Sequence, residues 1–274
     1  MASDISTTLA LIGGGNMGSA MLAGLLSGES PPYTPDRILV VEASPERAEY
    51  LTSTFGVATT TLDEAPQRAG TILIVVKPYH VAGVLAELSG NLTDEHLIIS
   101  AAGAIGIAQI EESLGGRNPV VRCMPNTAAS VGEGMIAISA GTHAQPADLD
   151  KIQSLMECVG HVVRVPESQL DAVTALSGSG PAYFFYLAEA LIDAGVLLGL
   201  SRPLAVELVN QTAVGAGLML REAGDEAVRL RAEVSSPGGM TVAAIRALES
   251  GAVRAAVMSA AEAARDRSVE QRSA

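Results

Sequence analysis

The sequence predicts an α/β protein in two parts, an N-terminal domain with a mainly parallel sheet and an all-α C-terminal domain. Two patterns support this prediction. In the first half, short apolar runs of strand length alternate with stretches of helical periodicity. After Pro166, nearly everything to Ala274 has helical periodicity. We therefore expect one domain over residues 1–166 and a second over residues 167–274.

Each of the first four predicted strands is a short apolar run that is followed by a helix. The first run, Leu9 to Ile12, leads through glycines into a helical stretch at Asn16 to Leu26. A series of such units implies parallel strands joined by right-handed crossovers, with helices on both faces of the sheet. The further strands are expected at Ile38–Val41, Thr71–Val76, Leu97–Ser100, Val120–Cys123, Met135–Ser139 and Val162–Val165, and further helices are expected to begin at Pro45, Tyr79 and Ile107.

The helical half has three interruptions and a polar tail. Its longest apolar stretch, Pro181 to Leu200, contains Glu189 and Asp193 at helical spacing, so it predicts a bundle helix rather than a membrane span. The tail from Arg265 to Ala274 is polar and is expected to fray. The interruptions fall at Gly178–Pro181, Ser201–Pro203 and Ser236–Gly239.

Charge and cysteine content exclude several classes of function. A net charge of −13 without a basic stripe argues against nucleic acid as a partner. Cys123 and Cys158 lie far apart and show no ligand spacing, so we expect no metal site and two reduced thiols in a cytoplasmic protein. The stretch from Met1 to Thr8 is polar and carries Asp4, which is not the pattern of a signal peptide.

The turn after the first strand matches the glycine fingerprint of the Rossmann-type dinucleotide-binding fold. Gly13 suits the tight turn, Gly15 the close approach of a pyrophosphate, and Gly18 the packing of helix on strand. Gly14, Asn16 and Met17 complete the motif, and the phosphates would lie on the N-terminus of the helix that follows. A glycine-rich turn without a ligand is the alternative, but the strand–turn–helix context favours binding of NADPH or NADH.

Glu42 ends the second strand, 24 residues after Gly18, near the offset at which an acid binds the ribose 2′-hydroxyl of NAD. An acid at this place disfavours the 2′-phosphate of NADP. A solvated carboxylate turned away from the ribose remains the alternative, and Arg47 in the next helix is within reach of a phosphate. Asp63 adds negative charge if it faces the adenosine.

The whole chain from Leu9 to about Ser268 resembles pyrroline-5-carboxylate reductase, the enzyme that closes proline biosynthesis. The two motifs in the helical half are the most specific part of this resemblance, because the glycine fingerprint is shared by many unrelated enzymes. The motifs that carry it are Gly13–Gly18, Val76-Lys77-Pro78, Ser100-Ala101-Ala102-Gly103, Met124-Pro125-Asn126-Thr127, Asp171-Ala172-Val173-Thr174 with Ser177-Gly178-Ser179-Gly180-Pro181-Ala182-Tyr183, and Ser235-Ser236-Pro237-Gly238-Gly239-Met240-Thr241.

The resemblance implies an NAD(P)H-dependent oxidoreductase that transfers a hydride to the C=N carbon of 1-pyrroline-5-carboxylate and yields L-proline. The protein would align the two rings, hold the substrate carboxylate and exclude water. It also implies a homodimer through the helical domain, with higher assembly left open. For the cofactor it implies that Val76, Lys77 and Pro78 edge the ribose and nicotinamide and that Ala101, Ala102 and Gly103 line the nicotinamide side; taken alone, Lys77 would be an ordinary strand-end lysine.

For the substrate, the resemblance implicates the start of a helix in the second half. Ser236, Gly238 and Gly239 would offer backbone N–H groups and the positive end of the helix dipole to the carboxylate, although such a start is also a common cap. Thr241 would hydrogen-bond the ring nitrogen as the catalytic residue, in a positioning and polarising role. The segment from Ser177 to Pro181 either shapes the pocket or is only a tight bend between helices.

Departures and rival functions are few. The family often has Thr where Met240 stands and Pro where Ala128 stands, and Glu42 puts the NADPH preference of many relatives in doubt. A β-hydroxyacid dehydrogenase would use a lysine in the second domain, but no lysine follows Lys151. The alternative of another class is a noncatalytic dinucleotide-binding scaffold or redox sensor.

Overall fold

The computed structural model describes residues 8–27, 31–224 and 227–273, and its first half is an eight-stranded sheet. Residues 1–7, which belong to the stretch that lacks the pattern of a signal peptide, lie outside the described residues. The strands in chain order are β1 (Leu9–Ile12), β2 (Ile38–Val41), β3 (Ala58–Thr59), β4 (Thr71–Ile74), β5 (Leu97–Ser100), β6 (Val120–Met124), β7 (Gly134–Ala140) and β8 (Gly160–Arg164).

The order across the sheet is β3-β2-β1-β4-β5-β6-β7-β8. All neighbouring pairs are parallel except β6 and β7, so the predicted mainly parallel sheet is confirmed. The antiparallel pair has a simple cause. β6 and β7 are joined by a short connection that contains only the 3₁₀ helix Thr127–Val131, whereas parallel neighbours need a longer crossover.

Helices cover both faces of the sheet, as predicted. One buried cluster contains Leu11, Leu22 and Val121, and a second on the other face contains Ile12, Leu85 and Ile98. Side chains of a strand alternate between the two faces, so neighbours Leu11 and Ile12 belong to different clusters. The helices of this half are α1 (Asn16–Leu25), α2 (Pro45–Phe55), α3 (Ala65–Arg68), α4 (Pro78–Ser89), α5 (Ile107–Ser113) and α6 (Pro146–Met156).

The packing divides the chain at a different point from the predicted boundary. One compact unit comprises the chain up to Ser179 together with the residues from Ala264 onward, and the second comprises Gly180–Ala263. Residues 167–179 belong to the sheet unit because Leu170 is fully buried in a cluster with Met124 and Ala137. The predicted boundary between residues 166 and 167 follows the change in periodicity and stays a prediction.

The tail expected to fray is helical instead. Helix α12 runs through Val253–Ser273. Within its last part, Ser268 is buried and its hydroxyl donates to Asp171 at 2.8 Å, and Arg272 pairs with the same carboxylate at 3.0 Å. The tail has a polar sequence, but Ser268 and Arg272 are held by Asp171, which lies about one hundred residues earlier in the chain.

The helical unit leaves most of its apolar side chains exposed. Helices α8 and α9 pack closely, since a Cβ at Gly195 would lie 2.9 Å from that of Ala205. Among the described residues, no helix is long and apolar enough to cross a membrane. The helices from residue 170 onward are α7 (Leu170–Val173), α8 (Gly180–Leu197), α9 (Arg202–Glu222), α10 (Ala227–Glu233), α11 (Met240–Ser250) and α12, with a π-turn at Thr174–Gly178 between α7 and α8.

Candidate functional site

The predicted cofactor residues meet at one edge of the sheet. β1, β2, β4 and β5 run parallel, so their carboxyl ends lie at the same edge, and each of them is followed by a predicted segment. Ligands of open α/β sheets bind at this edge, and a glycine turn on its first strand places the site. The structure brings together Gly13–Gly18, Glu42, Val76-Lys77-Pro78 and Ala101-Ala102-Gly103.

The three fingerprint glycines have three different surroundings. Gly13 has φ +104°, a left-handed conformation, and its N–H donates to the Val41 carbonyl at 2.9 Å. A Cβ on Gly18 would collide with the Gly13 carbonyl, so this glycine allows α1 to pack on the loop. A Cβ on Gly15 would meet no atom within 4 Å. Protein packing therefore accounts for Gly13 and Gly18, while Gly15 adjoins open space of the kind that a pyrophosphate requires.

The start of α1 suits the same ligand. Gly15 is the N-cap and has no side chain that could cap the first turn, and Asn16 is exposed. Met17 is half-buried and packs against the sheet cluster, which fixes the first turn. The first N–H groups of a helix point outward and attract anions. Because the open space at Gly15 and the uncapped first turn of α1 are adjacent, the residues present fit a dinucleotide.

Glu42 binds the loop rather than extending freely into solvent. Its Oε2 accepts from the Gly14 N–H at 2.7 Å and its Oε1 from the Ser44 N–H at 2.9 Å. A carboxylate in this position stabilises the glycine turn and keeps a negative charge at the end of β2. Asp63 is exposed, and a hydrogen bond with the Thr61 side chain holds the pKa of its carboxyl below the usual range.

Arg47 also hydrogen-bonds to the glycine loop and to the first turn of α1. Its Nε donates to the Gly14 carbonyl at 2.6 Å and its Nη2 to the Ser19 hydroxyl at 2.5 Å. The guanidinium carbon also lies 4.6 Å from the centre of the Tyr50 ring. The Gly14 N–H is therefore held by the carboxylate of Glu42, directly after β2, and the Gly14 carbonyl is held by the guanidinium of Arg47 in α2. Ser19 had no signal in the sequence, because a serine within a helix is common.

The other two predicted cofactor segments begin where β4 and β5 end. Val76 is half-buried against the sheet cluster, Lys77 is the exposed N-cap of α4, and Pro78 is its first residue. After β5, the Ala101 N–H donates to the Ile74 carbonyl at 2.8 Å, and the Ala102 N–H lies 3.4 Å from the Ser100 hydroxyl. Ala102 is buried and Gly103 is half-buried.

Two motifs from different halves of the sequence meet beside this edge. The Asn126 amide nitrogen donates to the Ser177 carbonyl at 3.0 Å, and its oxygen accepts from Ala128 and Met135. Ser177 lies in the π-turn, where the Ser179 N–H reaches the Thr174 carbonyl. Such turns are frequent at functional sites. A Cβ on Gly178 would meet only Thr174 at 3.4 Å, so close helix crossing does not explain this glycine.

The predicted substrate residues lie in the helical unit. Helix α11 begins at Met240 with Gly239 as its N-cap, so Thr241 is the second residue of its first turn and is half-buried. Gly238 has φ +69°, and Gly239 donates to the Ser236 carbonyl at 2.9 Å. A Cβ on Gly239 would lie 2.5 Å from the Ser236 hydroxyl oxygen. Ser236, Gly238 and Gly239 thus form a tight turn that exposes the start of α11.

Burial disfavours the thiolate form of both cysteines. It raises the pKa of the Cys123 thiol to about 12 and that of Cys158 to about 11. A thiol reacts as its thiolate, so both groups are poor nucleophiles at neutral pH. Both are free, as the sequence predicts.

Comparisons with known proteins cover almost the whole chain. A family model described as pyrroline-5-carboxylate reductase dimerisation matches residues 167–271, and a coenzyme F420-dependent NADP oxidoreductase model matches residues 8–103. The pyrroline-5-carboxylate reductase of Mycobacterium tuberculosis is 43% identical over 96% of both chains.

Two solved structures share the fold. One is a pyrroline-5-carboxylate reductase from Coxiella burnetii, with a TM-score of 0.90 and 36% identity over 98% of this chain and 99% of that one. The other is the Plasmodium falciparum pyrroline carboxylate reductase with NADP bound, with a TM-score of 0.87 and 30% identity over the same shares of the two chains.

Proposed function

The chain belongs to the pyrroline-5-carboxylate reductase family, and from this premise we propose that it reduces 1-pyrroline-5-carboxylate to L-proline with NAD(P)H, the final step of proline biosynthesis. The observation that carries the proposal is the contrast among the fingerprint glycines. Gly13 and Gly18 are tightly packed, whereas a side chain on Gly15 would enter open space. This open space lies directly beside the uncapped start of α1, and the two together support a pyrophosphate at this place.

We assign the adenosine and pyrophosphate half of the cofactor to the ends of β1 and β2. Gly13, Gly14, Gly15, Asn16, Met17 and Gly18 would place backbone N–H groups and the start of α1 on the pyrophosphate. Glu42, already bonded to Gly14 and Ser44, would present its charge to the ribose. Arg47 would hold the loop while the phosphates are bound.

We assign the nicotinamide half to the ends of β4 and β5. The nicotinamide, when bound, supplies the hydride for the C=N carbon. Val76, Lys77 and Pro78 would border its ribose, and Ala101, Ala102 and Gly103 would line the ring with small, mostly apolar groups. Small groups allow close stacking and exclude water, which is the main contribution a protein makes to hydride transfer.

We assign the substrate to the first turn of α11. The N–H groups that follow Ser236, Gly238 and Gly239 would bind the carboxylate without an arginine, since the helix start itself favours an anion. The Thr241 hydroxyl would hydrogen-bond the ring nitrogen, and when that nitrogen is protonated the hydroxyl oxygen would accept from its N–H. A threonine is too weak an acid to supply that proton, so its role is positioning and polarisation.

The proposal includes assembly and location. The helical half carries the family's dimerisation region, and the chain would form a homodimer through it, with larger assemblies built on the dimer. Its exposed apolar side chains support this arrangement. A cytoplasmic location follows from the proposed use of NAD(P)H and two free thiols.

The direct test is to follow NADH and NADPH oxidation with and without 1-pyrroline-5-carboxylate. We expect oxidation that depends on the substrate and yields proline. Cofactor binding without any such oxidation would support the noncatalytic scaffold or redox sensor instead. Absence of both binding and oxidation would contradict the dinucleotide site itself.

A further inference from the structure

The loop between β5 and α5 carries backbone strain. Ala104 has φ +63°, in the left-handed region that a residue with a side chain rarely adopts, and it is buried. The loop follows directly on Ala101–Gly103, the segment that would line the nicotinamide. Strained conformations persist only where the surrounding structure over-determines them. The groups that hold both ends of the loop therefore determine this conformation.

The two ends of the loop are held by different means. At the β5 end, backbone pairing with β4 continues to Ala101. At the α5 end, the Ile107 N–H donates to Oε1 of Glu167 at 2.7 Å. Glu167 comes from a segment sixty residues later in the chain. The far end of the loop is thus tethered by one side chain.

Glu167 is itself fixed by a buried cation. The Arg122 Nη1 lies 3.1 Å from the same Oε1, and the Arg122 side chain is 1% exposed. Arg122 stands in β6 opposite Ser100, the last residue of β5, so the cation lies under the start of the loop. Within the described residues its Nη2 has no hydrogen-bond partner. A buried guanidinium with so few partners depends on its carboxylate.

The end of helix α12 adds a second ion pair at the same place. A Cβ on Gly106 would lie 3.8 Å from Oε1 of Glu167 and 4.0 Å from Cδ of Arg272. Arg272 is held by Asp171, one helical turn after Glu167. The last loop residue before α5 is therefore enclosed by both side chains.

We propose that Glu167 is a positioning residue for hydride transfer: held by Arg122, it tethers the α5 end of the 101–106 loop and so fixes the surface against which the nicotinamide packs. This inference rests on the proposed function. Glu167 needs no contact with the reacting atoms for this role. The tether affects the nicotinamide half of the cofactor and leaves the adenosine half unchanged.

The test compares two ligands and three variants. ADP-ribose contains the adenosine and pyrophosphate but no nicotinamide, so calorimetry with ADP-ribose and with NAD(P)H separates the two halves; the 2′-phosphorylated form serves if the protein prefers NADPH. Glu167→Ala removes the tether. Arg122→Met with Glu167→Met replaces the ion pair by apolar volume, which preserves the fold of buried pairs in other proteins. Glu167→Gln retains an oxygen that accepts from Ile107.

We expect Glu167→Ala and the double methionine variant to bind NAD(P)H about tenfold more weakly and ADP-ribose as before. The deuterium isotope effect on kcat, measured with cofactor deuterated at the transferred position, should rise because a misaligned ring slows hydride transfer. Glu167→Gln should keep most of the NAD(P)H affinity, and its isotope effect should stay near the wild-type value. The control Asp150→Asn breaks an exposed ion pair with Arg164 and should change nothing.

Two results would overturn the proposal. Equal weakening of ADP-ribose and NAD(P)H would mean that Glu167 only supports the fold. Unchanged binding and an unchanged isotope effect in the double methionine variant would mean that the loop needs no tether. If the wild type does not reduce 1-pyrroline-5-carboxylate, the proposed function fails, but the comparison of the two ligands still decides whether Glu167 acts on the nicotinamide half.

Discussion

The two units of the chain treat their apolar side chains in opposite ways. Among the described residues, every buried apolar side chain except that of Ala205 belongs to the sheet unit. Most of the exposed large ones belong to the helical unit, including Phe185 at 69% exposure and Leu197 at 88%. The sheet unit thus completes its own core. The helical unit is as rich in apolar side chains as a protein interior, but these side chains are exposed. A unit that packs against a second copy of the chain has such an exposed apolar surface.

The difference also separates the chemistry. The groups assigned to the cofactor lie at the edge of a sheet whose core is complete within its own unit, whereas Thr241 and the turn before it lie in the unit that leaves its apolar side chains exposed. Cofactor binding should therefore survive changes that abolish assembly, while substrate reduction should not. The following substitutions test this contrast, in order of decreasing effect.

A charge on the exposed face of α8 should have the largest effect. Phe185→Asp costs little in a separate chain because the side chain is exposed, but it buries an unpaired carboxylate if a second copy covers it. We expect loss of assembly and a fall in kcat/KM of more than about a thousandfold, with cofactor affinity within about threefold of wild type.

Sedimentation, NAD(P)H oxidation and calorimetry measure these three quantities. Val131→Asp is the matched control, since Val131 is equally exposed at 74% but belongs to the sheet unit. An assembled and active Phe185→Asp protein would show that this face of α8 stays open to solvent.

Gly15→Val should have the second largest effect, and on the other unit. The new side chain enters space that holds no protein atom within 4 Å, so the melting temperature should hardly change. The same space is needed by the pyrophosphate, and we expect cofactor affinity to fall at least about a hundredfold. Calorimetry with NADH and NADPH measures it.

Gly83→Val is the control for this substitution, because Gly83 also faces open space but lies within α4. Wild-type affinity in Gly15→Val would mean that the glycine turn has only a structural role.

Thr241→Val should have an intermediate effect confined to catalysis. The substitution keeps the branched shape and removes one hydrogen bond to a charged nitrogen, worth roughly 1.5 to 3 kcal/mol, so kcat should fall about ten- to a hundredfold with the cofactor KM little changed. Thr241→Ser should retain most activity. Thr212→Val, on an exposed helix position whose hydroxyl bonds only to its own helix, should have no effect. Turnover at the wild-type rate in Thr241→Val would leave Thr241 as a packing residue.

Glu42→Ser should have the smallest effect, on the choice of cofactor. Two negative groups close together disfavour each other, so removing the carboxylate should raise the ratio of NADPH to NADH efficiency by about three- to tenfold. The loss of its bond to Gly14 should weaken both cofactors slightly. Steady-state kinetics with each cofactor measures the ratio, and Glu46→Ser on the exposed start of α2 is the control. A strong preference for NADPH in the wild type would contradict a selective role for Glu42.

Local patterns predicted much of the fold. β1, β2 and β5 begin and end where the apolar runs do, because buried parallel strands read as continuous apolar segments. β3 has only two residues and α3 only four, too short for any periodicity, and both were missed. β4 ends at Ile74 rather than Val76 because the last two residues turn toward α4. The antiparallel direction of β7 depends on a loop length that apolar patterns do not encode.

The site was predictable where a short motif carries its own geometry and hidden where it depends on distant partners. The position of the glycine fingerprint could be predicted, because each of its glycines meets a local requirement of the turn. Arg122 gave no signal, because one charged residue in a strand is ordinary until its partner at Glu167 is known. The bonds of Arg47 to the glycine loop and of Asn126 to Ser177 likewise join residues more than thirty positions apart.

The contrast between the two units is tested most directly by measuring mass and activity together. The chain has a mass of 28.0 kDa, and sedimentation over a dilution series, with NAD(P)H oxidation assayed in the same samples, follows both quantities. We expect that every active sample contains a species of at least twice that mass, that reduction of 1-pyrroline-5-carboxylate falls as this species dissociates, and that cofactor binding persists. Full activity in a species of 28.0 kDa would contradict it.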